Sequence, residues 1–235
     1  MLRIGTVYRY SNVIDPTTPI VDGLPNYFYE TYVQNFSSFK FQRGIHIVQA
    51  VTGPDGRSRI PVIIISSSPH KAGSVDTPWQ DEYNPDHGYV KYYGDNKSAY
   101  MEPNNRKLGN RKLLELLPVY KSNLESDREN NAVPIVFFER TTINGRLKGN
   151  LKFQGFGVLD TAELVTQYDV KNGIYFPNYR FYFCVFSLKE DQEAFDWSWI
   201  AKRCDPSLST PETTKFAPNI WKRWVKKGDQ DLHLA

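Results

Sequence analysis

Within residues 178–188, Phe181, Phe183 and Val185 alternate with Tyr182, Cys184 and Phe186. A strand with two apolar faces is covered on both sides, so this run predicts a central strand. Residues 43–52 and 59–66 are rich in β-branched side chains and flank Gly53-Pro54-Asp55-Gly56, which predicts a hairpin. Further strands are expected at 88–93, 133–140 and 151–159, where aromatic and β-branched runs are bounded by Gly, Pro and Asn. Helical spacing is scarcer. Leu113, Leu114, Leu116 and Leu117 predict a short helix with Asn110 as its cap and Pro118 as its end. Residues 191–203 carry Phe195 and Trp199 at helical spacing and predict a second helix. A third is expected at 218–227, opened by proline and followed by Gly228. It sets Ile220, Trp221, Trp224 and Val225 on one face, opposite four cations. Residues 120–131 are polar and read as a loop. Strands in a group, with helices inserted and appended and no internal repeat, predict an α+β fold around a curved or barrel-like sheet.

The chain has 235 residues, enough for one large domain or one domain with an appendage. A net charge of +3 says little about partners, but its distribution says more. Acidic residues thin out at 106–112, 140–152 and 221–227, and such clusters suit a phosphate backbone as well as a solvated surface. Cys184 and Cys204 form no CxxC pair, which argues against a structural zinc site and fits reduced thiols in a prokaryotic cytoplasm. No apolar stretch approaches the ~20 residues needed to span a bilayer, so no membrane partner is expected.

Chemistry concentrates between Trp79 and Lys97. Trp79, Asp81, Tyr92, Tyr93 and Asp95 combine ring faces with carboxylates around one short strand. Aromatic faces can sandwich a base that has left its duplex, and a carboxylate can accept from the N4 amino group of cytosine. Strand alternation turns Val90 and Tyr92 one way and Tyr89, Lys91 and Tyr93 the other, which favours Tyr92 over Tyr93 as the pocket tyrosine. Lys97, Arg106, Lys107, Arg111 and Lys112 are candidate phosphate contacts. Asn110, at a helix start, is another, and His70 and Lys71 lie in a small polar loop able to probe a groove. Two other readings stand beside this one. The aromatics can be ordinary sheet residues. Alternatively, Pro85-Asp86 with Asp95-Asn96-Lys97 spells the PD-(D/E)xK nuclease pattern, in which Asp86 and Asp95 would share Mg2+ beside Lys97. If one strand separates those carboxylates, they lie on the order of 25–30 Å apart and cannot hold one metal.

Trp79-x-Asp81, Gly88, Tyr92-Tyr93-Gly94-Asp95-Asn96-Lys97, Gly109-Asn110-Arg111 and Leu113-Leu114 together resemble the N-terminal domain of AspBHI/MspJI-type modification-dependent restriction endonucleases. Val133-Pro134-Ile135-Val136-Phe137-Phe138 and Phe153-Gln154-Gly155-Phe156-Gly157-Val158 fit the same domain, so that the resemblance spans residues 40–190. It implies an SRA-like (PUA-like) fold with flanking helices that flips 5-methylcytosine or 5-hydroxymethylcytosine out of double-stranded DNA. Asp86-His87-Gly88 and Tyr92-Tyr93-Gly94 echo the general SRA pattern. The spacing from the first Asp to the His-Gly turn is longer here, which leaves Asp81, Glu82 and Asp95 as alternatives for the cytosine-reading carboxylate. The resemblance further implies a non-catalytic recognition part of a restriction system: residues 1–205 as the SRA-like domain, and 206–235 as a basic amphipathic helix and tail leading to an effector. No cofactor is expected for this chain; Mg2+ would serve a fused nuclease domain, and a homo-oligomer is a further expectation. A reader of another mark, such as phosphorothioate DNA, is the remaining alternative.

Overall fold

The computed structural model of the chain describes residues 1–10, 15–37, 39–40, 44–68, 79–96, 108–143, 145 and 149–231. One eight-stranded sheet organises the molecule. Its strands are β1 (Val7–Arg9), β2 (Ile45–Ile47), β3 (Ile63–Ser67), β4 (Glu82–Asn84), β5 (Tyr89–Tyr93), β6 (Ile135–Arg140), β7 (Asn150–Asp169) and β8 (Ile174–Val185). Their spatial order is β2-β3-β6-β7-β8-β5-β4, with β1 also paired to β7. The sheet is open rather than barrel-closed among the described residues, with β2 and β4 as its edges. All its pairings are antiparallel except β3 with β6. The doubly apolar run lies inside the sheet, as its pattern requires: β8 sits between β7 and β5, with Phe181 and Phe183 buried.

The Gly53 hairpin forms in one continuous register, Ile47 opposite Ile63 and Val51 opposite Arg59, but Pro61 and its neighbours interrupt the ladder. Proline cannot donate to it. A greater departure is the length of β7 and β8. The strands expected at 151–159 and 178–188 extend into a two-stranded arm that turns at residues 170–173. Asp160 is an extra residue between the Leu159 and Thr161 pairings, a bulge that sets the arm off from the sheet. The outer side of the arm carries Leu164, Tyr168 and Tyr175, the last 69% exposed. The β7 half of the arm buries no residue, and on the β8 half the buried positions are Phe176 and the polar Asn178, so the sequence lacks the apolar alternation that marks a strand.

Six helices flank the sheet among the described residues: α1 (Tyr27–Glu30), α2 (Leu108–Tyr120), α3 (Glu125–Asn131), α4 (Ser198–Arg203), α5 (Thr210–Thr214) and α6 (Asn219–Lys227). Pro118 lies inside α2 instead of ending it, close enough to the C-terminus that only the last turn is affected. The supposed loop 120–131 contains α3, and the supposed helix 191–203 is a 3-10 turn, a two-residue strand paired with Leu2–Arg3, and α4. Gln192 and Glu193 both have positive φ, which breaks any helix there. The expected third helix forms as α6, with Ile220, Trp221, Trp224 and Val225 buried and Gly228 at its C-cap. Trp221 lies 5.1 Å from Trp199 and 5.0 Å from Trp224, so the segment after residue 205 shares the core of the residues before it. Among the described residues, no helix is long and apolar enough to cross a membrane.

Candidate functional site

Strands β4 and β5 join through a 3-10 turn, Pro85–His87, closed by Gly88 at φ 72°. Tyr83 pairs with Val90 and Glu82 with Lys91. Alternation therefore puts Asp81, Tyr83, Val90 and Tyr92 on the inner side, and Glu82, Tyr89, Lys91 and Tyr93 on the outer. Outside, the Tyr89 hydroxyl and Lys91 Nζ donate to the Glu82 carboxylate, the latter at 2.7 Å, which removes Glu82 from the choice of pocket carboxylate. Tyr93 is corrected as well. Its side chain lies on the outer side beside Arg180, and only its backbone N–H turns inward, to Asp81 Oδ1 at 2.9 Å.

Asp81 Oδ2 also accepts from Ser67 Oγ at 2.6 Å. Burial pushes the Asp81 carboxyl up to about 6 against the pull of those two hydrogen bonds, and the nearby Asp95 raises it further. Tyr92 Oη donates to Asp95 Oδ1 at 3.3 Å. The Tyr92 ring is 4% exposed and belongs to the core, so in this conformation it offers the site a hydroxyl rather than a stacking face. Burial, Asp95 and Asp81 hold that phenol well above its ordinary value. A Cβ on Gly44 would lie 2.1 Å from Tyr92 Oη, so only glycine fits at that point.

Two further strands complete the cluster. Ser67 and Glu139 are paired at the carboxyl ends of the parallel strands β3 and β6, where α/β sheets often place ligands. Glu139 accepts from Gln154 Nε2 at 2.6 Å. Gln154 is the extra residue of a bulge between the Phe137–Gly155 and Phe138–Phe153 pairs, and the bulge turns a buried amide toward Glu139. The Tyr83 hydroxyl lies in the electrostatic reach of both Asp81 and Glu139.

Trp79 stands at the edge of this cluster, half-buried, its ring edge-on to Phe176 at 6.0 Å. Phe176 lies on the inner side of the arm, which is further tied to the site by Asn178 Nδ2 to the Gly94 carbonyl at 2.9 Å and by Asn96 to the Pro177 carbonyl. Asn110 is fully buried, and its Oδ1 accepts from the Asp95 backbone N–H at 3.2 Å. Its expected place on a DNA-facing helix start is therefore corrected: it packs against Gly94 and fixes the turn that carries Asp95. Arg111 and Lys112 are on the surface of α2, within 3.6 Å and 3.1 Å of Glu115. His70, Lys71, Lys97, Arg106 and Lys107 lie outside the described residues.

Asp81, Tyr92 and Asp95 thus come together, with Trp79 beside them. Asp86 does not join them; it precedes β5 while Asp95 follows it, and a five-residue strand separates the two. The proposed metal pair is absent from the geometry, and Asp86 instead lines a groove of about 1120 Å³ with Lys121, Asp160 and Asp229, which shares no residue with the polar cluster. Ser67, Tyr83, Glu139 and Gln154 escaped the sequence reading. Tyr83 carried a signal, two positions from Asp81 and hence on its side of the strand. Gln154 carried another, an amide inside an otherwise apolar strand.

The fold and the cluster define a mixed α+β domain that presents a desolvated carboxylate, phenols and a tryptophan edge at one end of an open sheet. Residues 2–235 match the family Restriction endonuclease AspBHI N-terminal, and the chain belongs to that family. Its fold is similar to that of the MspJI restriction endonuclease in complex with a 27-mer oligonucleotide, at 34% identity and a TM-score of 0.86, over 95% of this chain and 51% of that one. The chain thus spans about half the length of that relative. The DNA recognition domain of the cytosine modification-dependent restriction endonuclease LpnPI shares the fold at 19% identity and a TM-score of 0.63, over 100% of this chain and 91% of that domain. No curated protein matches the chain.

Proposed function

We propose that this chain is a DNA-binding module that reads a modified cytosine in duplex DNA by drawing the base into the Asp81 cluster. Asp81 carries the reading: a carboxylate withdrawn from solvent, oriented by Ser67 and Tyr93, next to a half-buried indole. Family membership supports it, as do the oligonucleotide complex of one structural relative and the cytosine-modification dependence named for another. In this reading Trp79 stacks on the base, worth ~1–3 kcal/mol and comparable with the cost of unstacking it. Asp81 accepts from the N4 amino group, and Tyr92 with Asp95 forms the far wall. Entry of a base requires the chain around Tyr92 to shift, because that ring is covered. Arg111 and Lys112 would exchange Glu115 for phosphates, joined by His70, Lys71, Lys97, Arg106 and Lys107. Cleavage, with its Mg2+, would fall to a nuclease domain fused to this module.

A competition assay tests the reading, using one duplex sequence carrying methylated, hydroxymethylated, glucosylated or phosphorothioated positions, or none. A modified cytosine duplex is expected to compete best, and Asp81→Ala to abolish the difference. Equal competition by plain and modified duplexes refutes the proposal.

A further inference from the structure

The hydroxyl of Tyr83 is sealed from solvent and has no hydrogen-bond partner among the described residues. Ser67 lies beside it, with its hydroxyl proton already committed to Asp81. Buried hydroxyls are nearly always paired, so one left open inside a polar cluster marks a place for a ligand group. Its surroundings define that group. Asp81 and Glu139 both lie within electrostatic reach of the phenol, and both are acceptors when ionised. Gln154 holds Glu139 through Oε2, which leaves Oε1 able to accept. A phenol O–H beside a carboxylate oxygen suits a ligand that both accepts and donates at one atom, which is the chemistry of a hydroxyl.

The position fits as well. Asp81 and Tyr83 are two residues apart on the same side of an extended segment, about 6.6 Å at a rise of ~3.3 Å per residue. On a cytosine ring the C4 amino group and the C5 substituent are neighbours. With the amino group at Asp81, a substituent on C5 comes within reach of the adjacent side chain.

We propose that Tyr83, with Glu139, is the specificity-determining pair for the C5 substituent, and that it selects hydroxymethylcytosine over methylcytosine. This inference rests on the base-reading function proposed above. The Tyr83 hydroxyl donates to the oxygen of the hydroxymethyl group, whose own proton goes to Glu139. A methyl group fills the same space and leaves the phenol without a partner, and that difference creates the preference.

The test compares the affinities of the full chain for three duplexes that differ only at one cytosine, which is plain, methylated or hydroxymethylated. The wild-type chain is expected to bind the hydroxymethylated duplex on the order of 10-fold more tightly than the methylated one. Tyr83→Phe, which deletes one oxygen and keeps the ring, is expected to bring that ratio within about twofold. Glu139→Gln should shrink it in the same direction, and it serves as the second readout if Tyr83→Phe does not fold, as judged by its thermal transition. Equal affinity of the wild-type chain for the two modified duplexes overturns the inference while leaving the base-reading function intact, and so does a ratio unchanged in both variants. If neither modified duplex outcompetes the plain one, the base-reading function itself fails, and the inference with it.

Discussion

A carboxylate that accepts two hydrogen bonds is ordinarily a stronger acid than a free one, yet Asp81 accepts two and titrates at about 6. Desolvation outweighs both bonds, so the ionised form is held at a cost that an incoming amino donor can offset. The linkage follows in sign. The folded value lies above the ordinary 3.8, so the folded chain binds the proton more tightly than the unfolded chain. The Asp81 contribution to stability is then fully present below 3.8 and is lost as the pH rises through about 6. Asp81→Asn should therefore gain on the wild-type melting temperature between pH 4 and pH 7, read by calorimetry; parallel curves for the two proteins would contradict this. Binding runs the other way, because only the ionised form accepts from the N4 amino group. Affinity for a modified duplex should drop about 10-fold from pH 7 to pH 5, as expected for a group that titrates one unit above the lower pH. In Asp81→Asn that profile should be flat. In the sequence Asp81 stood beside Glu82 and Asp95 as one of three candidate carboxylates, and strand alternation with the Glu82 ion pair separates it from Glu82. Tyr92 was separable from Tyr93 because alternation allows only one of them inward. Glu139 and Gln154 were not legible: they reach the cluster through a parallel pairing and a bulge, both set by contacts distant in sequence.

At the scale of elements, the pattern of buried faces was readable and the polar elements were not. β8 and α6 declare themselves by their apolar positions. α3, with the sequence Glu-Ser-Asp-Arg-Glu-Asn-Asn, has no apolar stripe and reads as a loop. It persists because Arg128, 3% exposed, spends its guanidinium on backbone carbonyls: Nε to Val225 at 2.9 Å, Nη2 to Lys226 at 3.0 Å, and Nη1 to Ser122. Those carbonyls include the last ones of α6, which have no partner within their own helix and favour a cation. One side chain thus ties α3, the α2–α3 connection and the α6 C-terminus together. Arg128→Ala is expected to destabilise the fold by about 3–5 kcal/mol in denaturant unfolding, because it leaves several buried carbonyls unpaired and opens a cavity. Arg128→Lys restores little, since one ammonium cannot reach three separate acceptors. A loss below about 1 kcal/mol would mean that water replaces the guanidinium at no great cost. The arm of β7 and β8 was missed because its β7 half buries nothing and its β8 half buries only Phe176 and Asn178. Its inner side nevertheless braces Trp79 through Phe176, so an element that periodicity misses positions a residue that side-chain chemistry singles out.

Across the whole molecule, a net charge of +3 is too small for binding to rest on a general attraction to phosphate, so the placement of each cation decides its contribution. Three stretches looked equally basic in the sequence, and the fold separates two of them. The first turn of α2 is docked on the pocket: Asn110 holds the Asp95 backbone, and Gly109 packs so closely on Ile45 that a Cβ would lie 2.8 Å from it. Arg111 and Lys112 follow directly on the same helix and face solvent beside the cluster. On α6, Lys222 and Arg223 lie on the side away from the core, and Arg223 is already 2.8 Å from Glu190. If a base enters at Asp81, the duplex must pass over the start of α2, whereas nothing requires it to reach α6. Each phosphate contact releases condensed counterions and contributes about 0.9 to the slope of log K against log salt on duplex DNA. Replacing Arg111 and Lys112 by Gln should therefore lower that slope by about 2, for plain and modified duplexes alike, and leave their affinity ratio unchanged. Replacing Lys222 and Arg223 in the same way should leave the slope where it was. A slope that responds to α6 and not to α2 would place the duplex on a different face of the sheet, and the base pocket would have to be sought there.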